Sequence, residues 1–233
     1  MFVPLYDHNP LRNVRAPFVN YALIALTVVG FFATGGIDPT AVQRAAVGLG
    51  FIPSVANGID HLEQGYAVIP EQFTYVSYAF LHVNLLHLAG NLLFLWVFGD
   101  NVEDALGHAR YALFCLLAAA AGAAAHNFAD PYSQVPLIGA SGAISGIVAA
   151  YLILHPKVKI WILAFGRIPL RLTARTVIIA WAAFQLLNLY LATAGAEVAW
   201  WAHMGGFAAG LVLVFVLKPR GVPLLDAGTP DAP

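Results

Sequence analysis

Residues 137–154, LIGASGAISGIVAAYLIL, contain no charged side chain. They belong to one of six long apolar runs, at about 17–34, 83–100, 108–127, 139–155, 174–194 and 199–217. A helix crossing a bilayer needs about 20 mostly apolar residues, so runs of this kind constrain the fold more than any other feature. Only 10% of the 233 residues are charged and 60% are hydrophobic. A soluble domain carries roughly 25% charged residues to face water. The chain therefore reads as an integral, all-α polytopic membrane protein with one membrane domain over residues 17–217. Residues 1–16 read as a cytoplasmic N-terminal segment and 218–233, rich in Pro and Gly, as a disordered cytoplasmic tail. The first run follows Arg12 and Arg15, but no small-x-small cleavage pattern follows it at ATGGIDP, so it reads as a retained span rather than a signal peptide. A net charge of −1 offers no footprint for nucleic acid. The single cysteine, Cys115, sits in an apolar run and reads as a small buried hydrophobe.

Orientation follows from Lys and Arg. With both termini on one side, that side holds Arg12, Arg15, Arg110, Lys157, Lys159, Arg167, Arg171, Arg175, Lys218 and Arg220, and the other only Arg44. The termini are thus expected in the cytoplasm. The longest connection, 35–82, faces outward, with aromatic stretches such as EQFTYVSYAF lying at the interface.

Polar side chains inside spans are costly and each needs a reason. His87, Asn91, Ser141 and His203 stand out. Counted back from the cytoplasmic ends of spans two, four and six, they lie roughly 18–24 Å above that edge at 1.5 Å per residue. Three helices thus offer polar groups at nearly one level. His87 and Asn91 are four apart and share a face. His82, five before His87, points about 140° away, does not belong to that face and reads as a loop-stabilising residue. His203, Gly206 and Gly210 form one stripe on span six; Gly142 and Gly146 form another on span four, beside Ser141 and Ser145. Glycine stripes let backbones approach closely in lipid. If these two faces pack, Ser141 and His203 come within hydrogen-bonding reach. Glu103, at the cytoplasmic end of span two, reads as a structural cap or pairing group. Gln185 and Asn188 in span five read as interhelical hydrogen-bonding groups.

Span four is short, roughly 24 Å from Gly139 to Leu154 at the helical rise. The stretch before it, DPYSQVPLI, contains Pro131 and Pro136 and must dip inward as irregular backbone, buried in protein or lining a wet cavity. Ser141 stands at the floor of that indentation. A serine hydroxyl is a poor nucleophile until a positioned base takes its proton, and imidazole suits the task. No carboxylate lies in a span at that level, so the pair is a dyad without an acidic third member. An oxyanion would find the Ser141 amide at a helix start, with the His87 and Asn91 side chains completing the pocket.

HVNLLHLAGN (82–91), GASG (139–142) and AHMGGFAAG (202–210) resemble, in order and spacing, the three signatures of the rhomboid intramembrane serine proteases. The likeness covers most of residues 17–217. It implies a six-transmembrane-helix bundle with a long first loop and a short buried fourth helix. The implied activity is endoproteolysis of single-span membrane protein substrates near the outer face of the bilayer, with no metal or cofactor, in what is expected to be a bacterial inner membrane. The resemblance implies Ser141 as nucleophile, His203 as base, and His87, Asn91 and the Ser141 amide as oxyanion donors. Gly139 and Gly142 shape the turn around the serine, with Gly206 and Gly210 on the facing stripe. Span five and the loop at about 194–199 would form a gate and cap. Two positions depart from the family pattern. The first loop carries no tryptophan, and Ser145 stands where an aromatic ring often stacks on the base.

Other classes compete. A catalytically inactive rhomboid-like protein that binds or escorts membrane clients should lack the serine or the histidine. A transporter would want ionisable groups along a path through both leaflets, whereas these cluster at one level. A haem or metal site on His82 and His87 fails on facing, since the two point apart, and the helical H-E-x-x-H pattern is absent.

Overall fold

The structure, a computed structural model, describes residues 2–63, 65–191 and 200–226. Six apolar helices carry the bundle: α1 (Phe18–Ala33), α3 (Leu85–Leu106), α4 (His108–Ala129), α5 (Ser141–Leu154), α6 (Ala174–Leu191) and α7 (Trp200–Leu217). A further helix, α2 (Pro39–Leu49), lies in the long first loop. Its start is written locally: Pro39 occupies the first turn, and Asp38 accepts from the Thr40 amide at 2.9 Å. Among the described residues four helices, α3, α4, α6 and α7, are long and apolar enough to cross a membrane; α1 and α5 are shorter, at 16 and 14 residues.

Helix α5 is the centre. It is apolar on all sides, and eleven of its fourteen residues are buried against α3, α4, α6 and α7. Its contact with α7 is made by backbone. A Cβ placed on Gly206 would overlap the Gly142 carbonyl, and one on Gly210 would overlap that of Gly146. Helix α4 joins the same cluster, because a Cβ on Gly122 would stand 3.0 Å from the Ala202 carbonyl and one on Gly205 2.8 Å from that of Ala121. Missing side chains, repeated one turn apart, are what bring these axes together.

At the opposite end from Ser141, buried polar groups lock α1 to α3 and α4. Glu103 is fully buried and accepts from the first-turn amides of Val19 (3.0 Å) and Asn20 (2.7 Å), while also pairing with His108. A carboxylate there satisfies orphan donors and meets the positive end of the α1 dipole. Midway along α3 the turn widens to a π-helical stretch, Leu95–Gly99. Widening displaces carbonyls from the regular ladder; that of Leu95 accepts from Asn20 Nδ2 at 2.9 Å, and Tyr111 donates to Asn20 Oδ1 at 2.9 Å. Helix α3 thus runs six residues past the expected end at 100, to Leu106, where Gly107 at φ 78° turns the chain into α4.

The all-α expectation needs correction. Strands β1 (Phe2–Asp7), β2 (Lys159–Ala164) and β3 (Ile168–Thr173) form an antiparallel sheet in the order β1-β2-β3. KIWILA and IPLRLT pair in register from Lys159–Thr173 to Ala164–Ile168, around a turn in which Phe165 and Gly166 take positive φ. Both strands are short and β-branched or aromatic in part, a composition that suits a half-buried pleat. Residues 1–16 are accordingly not a separate segment. Strand β1 pairs with β2, Tyr151 of α5 hydrogen-bonds Asp7, and Asp104 accepts from the amides of Arg12, Asn13 and Val14. The tail is also ordered in its first part: Leu225 and Asp226 donate backbone N–H groups to Ile153 and Leu154, and Arg12 pairs with Asp226 at 2.7 Å. Residues 227–233 lie outside the described residues.

Two outcomes follow from this packing. Replacing Gly206 or Gly210 by Val drives a branched side chain into an α5 carbonyl. Overpacking of this sort costs about 1–3 kcal/mol, to be read as a lower thermal midpoint in detergent; an unchanged midpoint would show that α5 and α7 are not in backbone contact. The second concerns Asp7. Desolvation pushes its carboxyl up from 3.8 to about 7, against the opposing hydrogen bond from Tyr151. The folded state therefore holds this proton more tightly than the unfolded chain does. Its stabilising effect is present at low pH and is lost as pH rises from about 4 to about 7. Amide exchange in β1 should accelerate between pH 5 and pH 8 beyond the intrinsic chemical rate, and Asp7→Asn should remove that excess.

Candidate functional site

Ser141 is the first residue of α5, and the chain reaches it through an irregular stretch held by the first loop. Phe51 and Leu137 exchange both backbone hydrogen bonds, at 3.1 and 2.8 Å, and the Ser54 amide donates to the Ser133 carbonyl at 3.0 Å. The Gly139 amide then donates to the Tyr78 carbonyl at 2.9 Å. Gly139 takes φ +116°, a region closed to most side chains, and a Cβ there would stand 2.7 Å from His87 Cε1 and Nε2. It would also lie 3.8 Å from Ser141 Oγ, so the His87 ring and the serine hydroxyl flank one small space.

The two glycine stripes meet as their spacing implied, and they bring the imidazole to the hydroxyl. His203 Nε2 and Ser141 Oγ are 2.8 Å apart. The other ring nitrogen, Nδ1, faces Oε1 of Gln185 on α6 at 3.2 Å. Trp200, one turn earlier on α7, meets the His203 ring edge to face at 5.9 Å between centroids. Ser145 places no aromatic ring beside the imidazole. Its hydroxyl donates to the Ser141 carbonyl at 2.6 Å, turning back along its own helix.

Asn84 caps α3 by accepting from the His87 amide at 2.8 Å, which fixes the first turn that carries His87. Asn91 is buried one turn further on, and its Nδ2 donates to the His87 carbonyl at 3.0 Å. One amide hydrogen is spent there and the second remains available. His82 corrects the facing argument. The helix begins only at Leu85, so helical angles do not apply to residue 82, and its ring packs against that of His87 at 4.9 Å. His82 is buried, with neither ring nitrogen bonded to a protein group. The two histidines therefore do not point apart. Among the described residues no group of three or more His, Cys, Asp or Glu side chains is arranged to hold a metal ion.

Two contributors are not assigned to the site by the sequence. Tyr78 is buried in the first loop, donates to the Ala119 carbonyl at 2.9 Å, and places its hydroxyl where Cβ atoms on Gly122 and Gly142 would be. It clamps α4, α5 and the Gly139 turn together. Within EQFTYVSYAF it looked like any other interfacial aromatic. Gln185 showed only as a polar residue in an apolar run, with no indication of its partner.

The arrangement can activate a hydroxyl. A neutral imidazole with its lone pair at Nε2 can accept the serine proton. The α5 start provides unpaired amides and a positive dipole end beside the same oxygen. Position 194–199, expected as part of a cap, lies outside the described residues.

Comparison with known proteins gives this geometry a family. A family model described as the Rhomboid domain matches residues 70–220. Among curated relatives, "Rhomboid protease GlpG" of Klebsiella pneumoniae subsp. pneumoniae is 26% identical over 147 residues, covering 63% of this chain and 49% of the relative. "Rhomboid protease GluP" of Bacillus subtilis is 31% identical over 147 residues, covering 63% and 26%. "Rhomboid protein 1, mitochondrial" of Saccharomyces cerevisiae is 28% identical over 153 residues, covering 62% and 41%. The chain spans about half or less of the length of these relatives. With the model matching well over half of its residues, and with its long apolar helices, the chain belongs to the rhomboid family of integral membrane proteins.

Proposed function

We propose that the protein is an intramembrane serine endopeptidase acting through a Ser141–His203 dyad. The observation that carries this reading is the 2.8 Å approach of His203 Nε2 to Ser141 Oγ at the start of a buried helix. Protease-named relatives support it at the level of the family. The retention of both groups counts against an inactive relative that only binds clients.

In this reading His203 takes the hydroxyl proton as Ser141 Oγ bonds to the carbonyl carbon of the scissile peptide. The negative charge moves to the carbonyl oxygen. The Ser141 amide receives it, with the His87 ring across the Gly139 space and the second amide hydrogen of Asn91 as further donors. His203 then returns the proton to the leaving amine as the C–N bond breaks, leaving an acyl ester on Ser141. Water, deprotonated by the same imidazole, adds to that ester and releases the acid. Nothing in the sequence requires a metal or cofactor.

The topology proposed with this chemistry has six crossings, α1 and α3 to α7, with both termini in the cytoplasm. The sheet supports it, since β1 at the N-terminus pairs with the β2–β3 hairpin between α5 and α6. That end carries Lys157, Lys159, Arg167 and Arg171, as a cytoplasmic end should. Ser141 and His203 then open toward the outer leaflet, and the substrates are single-span membrane proteins cut near that face. A bacterial plasma membrane suits the resemblance to bacterial relatives.

Ser141→Ala and His203→Ala should each abolish cleavage of a model single-span substrate in liposomes while the thermal midpoint is retained; cleavage at the normal rate by either variant removes the dyad. A fluorophosphonate should label the wild-type chain and not the Ser141→Ala variant. Gly139→Ala should be nearly as damaging to labelling. Its new methyl group would press on the His87 ring, and its backbone would store about 1–3 kcal/mol of strain. Labelling at the wild-type rate would show that the Gly139 turn does not shape the site.

A further inference from the structure

His203 faces two partners, Ser141 at Nε2 and Gln185 at Nδ1. We propose that Gln185 is the positioning residue for His203: its side-chain carbonyl accepts the Nδ1 proton and so leaves the Nε2 lone pair facing Ser141. The inference rests on the reading of Ser141 and His203 as a nucleophile and its base.

A neutral imidazole carries one N–H and one lone pair, and the hydrogen bond made at one nitrogen decides which is which. Nε2 can accept from the Ser141 hydroxyl only when the proton sits on Nδ1. That proton needs an acceptor. Gln185 Oε1 lies 3.2 Å from Nδ1, and Gln185 is 5% exposed, so water competes poorly for the bond. Among the described residues no other group accepts from Nδ1. Trp200 offers a ring edge at 5.9 Å, and the Ser145 hydroxyl is committed to the Ser141 carbonyl.

The placement of Gln185 in α6 points the same way. The buried residues of that helix are Ala174, Val177 and Ile178 near its start and Gln185 far from them. Around Gln185 the helix is largely exposed, at Phe184, Leu186, Leu187 and Tyr190. A polar side chain is thus the one buried member of that half among the described residues. Its partner is the base. A familiar triad places a carboxylate in this position, which orients the ring and also steadies its positive charge. A neutral amide orients the ring without adding a buried charge.

The test compares Gln185→Leu, which removes the acceptor at similar size, with Gln185→Glu, which restores one. The Leu variant should lower turnover of a single-span substrate by about tenfold or more, with KM changed by less than about twofold. The Glu variant should recover most of that turnover. Its carboxylate favours the imidazolium, so the acid limb of its rate profile should move to higher pH. A Leu variant as fast as wild type, or Leu and Glu variants equally slow, overturns the proposal. A second readout does not depend on activity. In protein labelled with ¹⁵N-histidine, the His203 signal, identified by its loss in His203→Ala, should report the Nδ1–H tautomer in the wild type and lose that preference in the Leu variant. An Nε2–H tautomer in the wild type overturns the assignment. Wild-type protein that neither cleaves nor labels removes the enzymatic reading instead, and the tautomer signal still decides the role of Gln185.

Discussion

Everything at the candidate site hangs on two helices meeting without side chains between them. Gly206 of α7 abuts the Gly142 carbonyl of α5, and one turn on Gly210 abuts that of Gly146. In a bilayer no hydrophobic force draws one apolar helix to another, since lipid tails are as apolar as leucine. Close backbone packing must supply the attraction, and glycine alone permits it. The same approach sets the reach from His203 to Ser141, because both stand at the end of the stripes. A short side chain and a ring of modest length can touch only when the axes are this near.

The opposite end of the bundle is built from a different material. There Glu103, Asn20 and Tyr111 form a buried network through which α1, α3 and α4 hold one another, and Asp104 gathers the N-terminal chain. Buried polar groups are tolerated when each has its partners, and once satisfied they specify a single arrangement. Charge and hydrogen bonds fix one end, while small residues fix the other. The wide turn at Leu95–Gly99 lies between the two along α3, with Asn20 serving its displaced carbonyl.

Much of this was legible in the sequence. The apolar runs marked the six bundle helices, and the i, i+3, i+7 spacing of His203, Gly206 and Gly210 foretold which face of α7 meets α5. What escaped did so for physical reasons. KIWILA and IPLRLT are short stretches interrupted by Lys, Pro and Arg, and the strand that completes their sheet, β1, comes from the far N-terminus, a pairing no local pattern reveals. His82 was misplaced because a helical angle was applied across a helix start that lies at Leu85. The ordering of residues 218–226 depends on carbonyls at the end of α5, which no composition reveals. Gln185 was visible as an anomaly, but its partner comes from another helix and is fixed only by packing.

That no carboxylate among the described residues stands beside His203 can be understood from the same packing. A charged group among α5, α6 and α7 would be desolvated with no cation to meet it, since the Lys and Arg residues of these helices and their connection gather at the far end. An acceptor that carries no charge avoids that penalty and still decides where the ring proton sits. What it gives up is the stabilisation of imidazolium by a nearby negative group. In the proposed mechanism the oxyanion formed beside Ser141 supplies a negative charge close to the protonated ring at the very stage when the ring is positive. The pair thus becomes zwitterionic only transiently, and the ground state that the apolar bundle must hold is neutral throughout.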